Sequence, residues 1–493
     1  MKTHLKNPSL LSVLIATLSL TLVGRMMAQT FTTLHSFEAV DTNGVNSDGV
    51  LPNSLVLPGN TLYGTASYGG SWGNGTIFAL NTDGTGFKTL YAFSLTSTGG
   101  TNSDGASPNN LILSDNNSNG NLYGTTYIGG NAYGTVFRVS TNGILTSLYS
   151  FTGGNDGIFP SGLVQGSDGN FYGTTATLID AGTLPDSPGT VFRISTNGVL
   201  TSLSSLANNN VGFRNGNRLV QGNDGNLYGT TPRGGTNSSG TVFKISTNGV
   251  LTTLYSFTGG TDGANPTARL VQGIDGNFYG TTPSGGNTNL NNGYGYGTVF
   301  KISTNGTLTT LHSFTGTDGS GSGGLVQASD GSFYGTTPGG GAYTNQYGEG
   351  YGTVFKISTS GVPTSLYSFG SVQDTNGFPL DGANPCAELV QGRDGNFYGT
   401  TSTGGAGRAG TVFRLTIVPP PQLAIIPTKA NIVLTWRTNA TEYTLQLTTN
   451  LISPVWTTNS AVPVVVNGLN TVTNPISGRQ QFFRLKQVTH ALL

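Results

Sequence analysis

Apolar and β-branched residues in this chain come in short runs, not in helical stripes. From Thr30 to about Thr416, runs of Val, Ile, Leu, Phe, Tyr and Thr alternate with Gly, Asn, Asp and Ser, and no segment sustains a 3.6-residue apolar period. The pattern predicts short β-strands joined by tight turns and places no helix there. The runs recur in sets of four. Each set opens on an apolar pair starting at Leu55, Leu111, Leu163, Leu219, Leu270, Leu325 and Leu389. A Tyr-Gly-Thr run follows, with its tyrosine at Tyr63, Tyr123, Tyr172, Tyr228, Tyr279, Tyr334 and Tyr398. Third is a Gly-Thr-Val/Ile-Phe run, and fourth a Leu-x-Ser-Phe run with small variations, the last of these starting at Leu366. Asp-Gly divides the first two runs at Asp168, Asp224, Asp275, Asp330 and Asp394, which suits the positive φ angles of two-residue hairpins.

Four strands in a period of roughly 50 to 60 residues indicate the blades of a β-propeller. Nothing after Phe413 matches the fourth run, and the missing copy stands at the other end as Leu34-His35-Ser36-Phe37. A strand borrowed from the N-terminus would complete the last blade and remove the exposed edge, whereas a linear array would need end caps. The expected fold is therefore all-β: a closed seven-bladed β-propeller over 29–417, a proline linker over 418–421, and a small immunoglobulin- or fibronectin-like β-sandwich over 422–493. Within that last segment Trp436 and Trp456 fall inside alternating strand patterns, which favours core over sugar stacking.

Residues 1–28 read as a signal peptide, with Lys2 and Lys6 ahead of an apolar stretch from Leu10 to Val23 and a cut after Ala28. No second apolar segment approaches the ~18 residues of a membrane span. The mature chain is expected to be secreted or cell-surface, without a membrane span, and monomeric.

The complete phrase in Asp262 to Phe314, with DGANPTARLVQGIDGNFYGTT followed by GTVFKISTNGTLTTLHSF, resembles the GloVer tandem-repeat family of exported bacterial proteins. The resemblance spans the propeller region. It implies secretion or surface attachment, carries no assigned activity, and gives the repeat positions a structural role, so no catalytic residue is transferred.

Lys plus Arg and Asp plus Glu number 21 each, so the net charge is zero and no basic footprint for nucleic acid or an anionic membrane exists. Twelve of the seventeen Asp precede Gly, which is turn chemistry. A second Asp-Gly series precedes six of the seven blades (Asp48, Asp104, Asp156, Asp262, Asp318 and Asp381), with Asn215 in the remaining place. One Asp per blade allows weak structural calcium without requiring it. No other cofactor is expected. Basic residues follow the third-strand Phe at Arg138, Arg193, Lys244, Lys301, Lys356 and Arg414. The first blade lacks both this base and the hairpin Asp, which favours ion pairs within blades. His35 and His312 fill fourth-strand slots where Tyr usually sits, and His490 stands alone near the C-terminus. Cys386 has no partner for an internal disulfide and reads as a half-buried spectator. No zinc spacing, phosphate loop or nucleophile triad is present.

The loops between second and third strands vary where everything around them repeats. They carry Tyr68, Trp72, Tyr127, Tyr133, Arg233, Tyr294, Tyr296, Tyr343, Tyr347, Tyr351 and Arg408 among Asn, Ser and Gly. Loops on a rigid scaffold are where binding is placed. The expected function is that of an exported, non-enzymatic binding protein whose loop face recognises polysaccharide or another extracellular polymer, or a surface protein. The alternatives are a propeller-type polysaccharide lyase or glycosidase using Asp180, Asp186 or Glu349, and a structural or adhesive cell-surface protein.

Overall fold

The computed structural model describes residues 29–114, 120–176, 189–206, 218–321, 323–417, 423–428, 431–437, 443–449, 454–475 and 481–487. The signal-like segment, Asp180, Asp186, Asn215, the proline linker and His490 lie outside the described residues.

The second and third runs of each repeat pair because their side chains are complementary. The Gly of Tyr-Gly-Thr faces the Phe of Gly-Thr-Val-Phe across the strands, as Gly229 faces Phe243 and Gly280 faces Phe300. A Cβ on Gly229 would stand 2.6 Å from the Phe243 ring carbon Cζ, so the ring lies in the space that the missing side chain leaves. The Gly that opens the third run is needed for a second reason. Gly240 has φ +99°, and a Cβ there would lie 2.7 Å from Pro266 at the start of the next repeat.

Repetition of this unit yields seven antiparallel sheets among the described residues between Gln29 and Ile417. The fourth sheet is representative, with Val220–Gln221, Leu227–Thr231, Thr241–Ile245 and Leu251–Ser256 side by side in that order. The third sheet carries one additional short strand, Ile158–Pro160. The seventh takes only three strands from the last repeat. Its fourth is Gln29–Ser36, antiparallel to Thr411–Ile417 from the Gln29–Ile417 pair to the Ser36–Thr411 pair.

The core lies between neighbouring sheets. Phe93, after the first sheet's last strand, meets Phe137 of the second sheet at 5.6 Å, and Phe257 meets Phe300 at 5.3 Å in the same edge-on way. Phe37, after the N-terminal strand, meets Phe78 of the first sheet at 5.3 Å. Where the third sheet meets the fourth, Leu206 replaces the phenylalanine and packs in the cluster that holds Phe243. Edge-on aromatic pairs of this kind add roughly 0.5–1.5 kcal/mol beyond the area they bury. Glutamines at the ends of the first strands stitch the sheets further. Gln221 accepts from the Ser167 amide at 2.8 Å, Gln272 from Asn223 at 2.9 Å, and Gln327 from Ile274 at 2.9 Å.

Beyond residue 422, one sheet of Ala424–Pro427, Asn431–Arg437, Leu469–Pro475 and Val464–Val466 and another of Tyr443–Thr448, Thr457–Thr458 and Phe482–Gln487 contribute to a common core. Trp436 is buried in that core beside Leu434, Leu445 and Val472, while Trp456 lies against the Arg484 guanidinium at 4.1 Å. Among the described residues, no helix is long and apolar enough to cross a membrane.

Candidate functional site

Most charged side chains are engaged by the scaffold. In the hairpin series, Tyr228 donates to Asp224 at 2.8 Å, Tyr279 to Asp275 at 2.8 Å and Tyr398 to Asp394 at 2.7 Å. Burial opposes the charge on these carboxyls, but hydrogen bonds from Asn and Tyr outweigh it and hold Asp168, Asp224, Asp275 and Asp394 below the usual range. The tyrosines respond in the opposite sense. Burial, and then the neighbouring carboxylate, pushes the Tyr172 phenol up to about 12. The expected pairing of base and hairpin Asp is present as Lys356–Asp330 at 2.8 Å and Lys244–Asp224 at 3.9 Å. Arg414 differs: its Nη1 reaches the Thr82 carbonyl of the first sheet at 3.4 Å.

Asp48, Asp104, Asp156, Asp262, Asp318 and Asp381 join a last strand to the connection that follows it. Asp262 accepts from Tyr255 at 3.0 Å and from the Thr258 amide at 2.8 Å, and Asp104 accepts from Tyr91 at 2.8 Å. His35 and His312 take the tyrosine's place, at 2.9 Å from Asp48 and 2.7 Å from Asp318. In the third sheet the slot holds Ser204. Among the described residues, no three His, Cys, Asp or Glu side chains converge in a group that could hold a metal. Cys386, expected to be half-buried, is exposed.

The loop aromatics divide into two groups. Tyr133, Tyr296 and Tyr351, each directly before the third-run Gly, are half-buried and pack on the cores between sheets. Tyr127 is half-buried and stacks on Phe159 with centroids 4.6 Å apart. Tyr68, Trp72, Tyr294, Tyr343, Tyr347 and Arg233 are exposed, Tyr347 most of all at 78%. The loop that carries Tyr343 and Tyr347 and the loop that carries Arg408 both make contact with the connection between the sixth and seventh sheets. The hairpin around Tyr347 is held by Asn345, which accepts from the Tyr347 and Glu349 amides and donates to the Glu349 carboxylate at 2.9 Å. Tyr351 follows, its backbone amide bonded to the Tyr343 carbonyl and its hydroxyl to the Gly377 carbonyl at 3.1 Å. The next residue, Phe378, is 42% exposed and carries the Arg408 guanidinium over its ring at 3.5 Å, while Asp374 holds Arg408 at 3.5 Å. Among the described residues, Tyr68, Trp72, Arg233 and Tyr294 make no ring or ion-pair contact with this cluster. Phe378 and Asp374 escaped the sequence reading because they sit in the connection between repeats, outside the variable loops. An isolated Phe amid Asn, Gly, Pro and Asp in 374–382 was the available signal.

A second constellation lies at the inner edge of the sheets. The first strands of all seven bound a cavity of about 630 Å³, whose lining includes the half-buried Val56, Ile112, Val271, Val326 and Val390. The residue before each leading apolar pair is Ser54, Asn110, Gly162, Arg218, Arg269, Gly324 and Glu388 in turn. Glu388 Oε2 lies 3.4 Å from Arg218 Nη1 and 3.8 Å from Arg269 Nη1. The two glycines make room for these long side chains: a Cβ on Gly324 would collide with Glu388 Cγ, and one on Gly162 would lie 2.7 Å from Arg218 Cδ. Asn110, its amide oxygen turned toward Arg218, accepts from Nε at 2.8 Å. Burial depresses the Arg218 pKa, Glu388 opposes that, and Arg269 adds to it. The signal for these three was a single position where an otherwise regular repeat varies.

Residues 22–217 and 177–413 match the Gloeobacter/Verrucomicrobia repeat. No curated protein matches the chain in sequence. Among solved structures, the chain is similar to an oligogalacturonate lyase in complex with manganese (11% identity, 80% of this chain and 98% of that one, TM-score 0.48). It is also similar to a puromycin-hydrolyzing peptidase of Mycobacterium tuberculosis (10% identity, 82% and 61%, TM-score 0.47) and to a protein from Lactobacillus plantarum (19% identity, 64% and 84%, TM-score 0.41).

Proposed function

The chain belongs to the Gloeobacter/Verrucomicrobia repeat family, and we propose that it is an exported binding module whose loop face grips an extracellular polysaccharide. Its scaffold in this reading is a seven-bladed β-propeller closed by the N-terminal strand. Three observations support closure: Gln29–Ser36 pairs with Thr411–Ile417, Phe37 meets Phe78 as Phe93 meets Phe137, and the seven first strands bound one cavity. Residues 1–28 serve as the export signal. Residues 422–493 form an immunoglobulin- or fibronectin-like sandwich, a reading supported by two sheets around Trp436.

The observation that carries the function is the cluster of Tyr343, Tyr347, Phe378 and Arg408. Its flat rings are exposed, and amide, hydroxyl and guanidinium groups surround them, a combination suited to stacking on sugar faces while bonding their hydroxyls. It is also preorganised. Arg408 is held by Phe378 and Asp374 and the Tyr347 hairpin by Asn345, so less side-chain freedom is lost on binding. Affinity electrophoresis through gels containing different polysaccharides tests the reading. The chain should be retarded by at least one polymer. Tyr347→Ala and Phe378→Ala should run unretarded while unfolding within about 0.5 kcal/mol of the parent, as exposed substitutions do. Parent-like retardation of both variants, or free migration of the parent in every gel, would sink the proposal.

A further inference from the structure

We propose a second ligand site, independent of the loop face: the cavity between the first strands binds a small organic monocarboxylate with an apolar body, its carboxylate held by Arg269 beside Arg218. Among the described lining residues, two guanidinium groups face a single carboxylate, Glu388, which leaves one positive charge uncompensated. Arginine does not lose its proton in proteins, so the surplus persists at any physiological pH. The Arg269 charge opposes that of Arg218, and an anion beside them offsets the repulsion.

The donors are unequally used. Arg218 spends Nε on Asn110 and Nη1 on Glu388. Arg269 reaches Glu388 only at 3.8 Å, too far for a hydrogen bond, and its Nε is buried with no acceptor among the described residues. About a third of the Arg269 side chain (35%) is exposed, so a ligand has access to it. With Nε buried, the Nη1 and Nη2 end of this guanidinium is what a ligand carboxylate can meet through two parallel hydrogen bonds. Charge counting selects among anions. One negative charge brings the lining to neutrality, whereas a phosphate carrying about −1.5 to −2 would overshoot. The walls select the rest of the molecule. The half-buried Val56, Ile112, Val271, Val326 and Val390 on the lining favour a hydrocarbon body, and 630 Å³ falls within the roughly 300–1,000 Å³ of small-molecule pockets.

The test is titration calorimetry of the full chain with octanoate, with 1-octanol and inorganic phosphate as comparisons. Octanoate should bind, with octanol and phosphate at least about tenfold weaker, the scale of one lost charge-assisted hydrogen bond. Arg269→Gln should weaken octanoate by at least the same factor. Glu388→Gln removes the carboxylate that competes for the same positive charge and should tighten it. A purely structural clamp across the cavity predicts the opposite for Glu388→Gln: lower stability and no gain in binding. The proposal fails if octanoate gives no binding heat, if octanol or phosphate binds as well, or if Glu388→Gln weakens octanoate. Should Arg269→Gln not fold, the sign of the Glu388→Gln effect still decides.

Discussion

His312 and Tyr255 occupy the same place in successive sheets, opposite Val299 and Val242 in the third strand, and each reaches the aspartate of the following connection. Both offer a donor at the far edge of a flat ring, which is what the aspartate requires. Their interchange follows from geometry and not from any special use of imidazole. Replacing His312 by Tyr should accordingly leave stability within about 1 kcal/mol, whereas His312→Ala, which strips a donor from Asp318, should cost about 1–3 kcal/mol. Chemical denaturation measures both, and a large loss on His312→Tyr would contradict the equivalence. The slot itself was legible from spacing along the chain. Its partner was not, because the Asp-Gly series reads equally as turn chemistry, and only the packing of last strand against connection shows the carboxylate meeting the ring.

At the scale of elements, strand and turn propensities agree with the sheets almost everywhere, since each strand is a local run of β-formers bounded by Gly, Asn or Asp. The N-terminal strand is the exception in kind. Its propensity is local, but its partner lies at the far end of the chain, and Phe31 on it stacks on Tyr367 at 4.0 Å and on Phe413 at 5.3 Å. Removing Gln29–Ser36 would leave the hydrogen-bonding edge of Thr411–Ile417 bare beside exposed aromatics, the condition that promotes edge-to-edge association. The truncated chain should lose its cooperative unfolding transition and elute as aggregates in size-exclusion chromatography. A monomer with parent-like melting would show that this strand is dispensable. The loop cluster belongs to this scale too. Its tyrosines were visible as interruptions of the repeat, but Phe378 joins them only because the connection before the seventh sheet folds back beside Tyr351.

For the whole molecule, repetition multiplies small electrostatic effects. The hairpin carboxyls Asp168, Asp224, Asp275, Asp330 and Asp394 all sit below their ordinary range. A depressed carboxyl stabilises fully above its unfolded pKa of about 3.9, and that contribution is lost as pH falls through the folded value. Tyr149, Tyr172 and Tyr255 are pushed up to about 12 by burial and by neighbouring carboxylates. A raised phenol stabilises fully below its unfolded pKa of about 10, and that contribution is lost as pH climbs through the folded value. Melting temperature should therefore stay level between about pH 4 and pH 10 and fall on either side. A decline already under way at pH 8 would mean that other groups govern stability. Strand positions, turn positions, the number of repeats and the displaced fourth run were determined by the sequence alone, because each depends on neighbours in the chain or on simple recurrence. The meeting of Arg218, Arg269 and Glu388 was decided by the tertiary structure. Arg218 and Glu388 stand 170 residues apart, and they touch because first strands converge on one cavity and glycines in adjacent sheets leave room for their side chains to cross it.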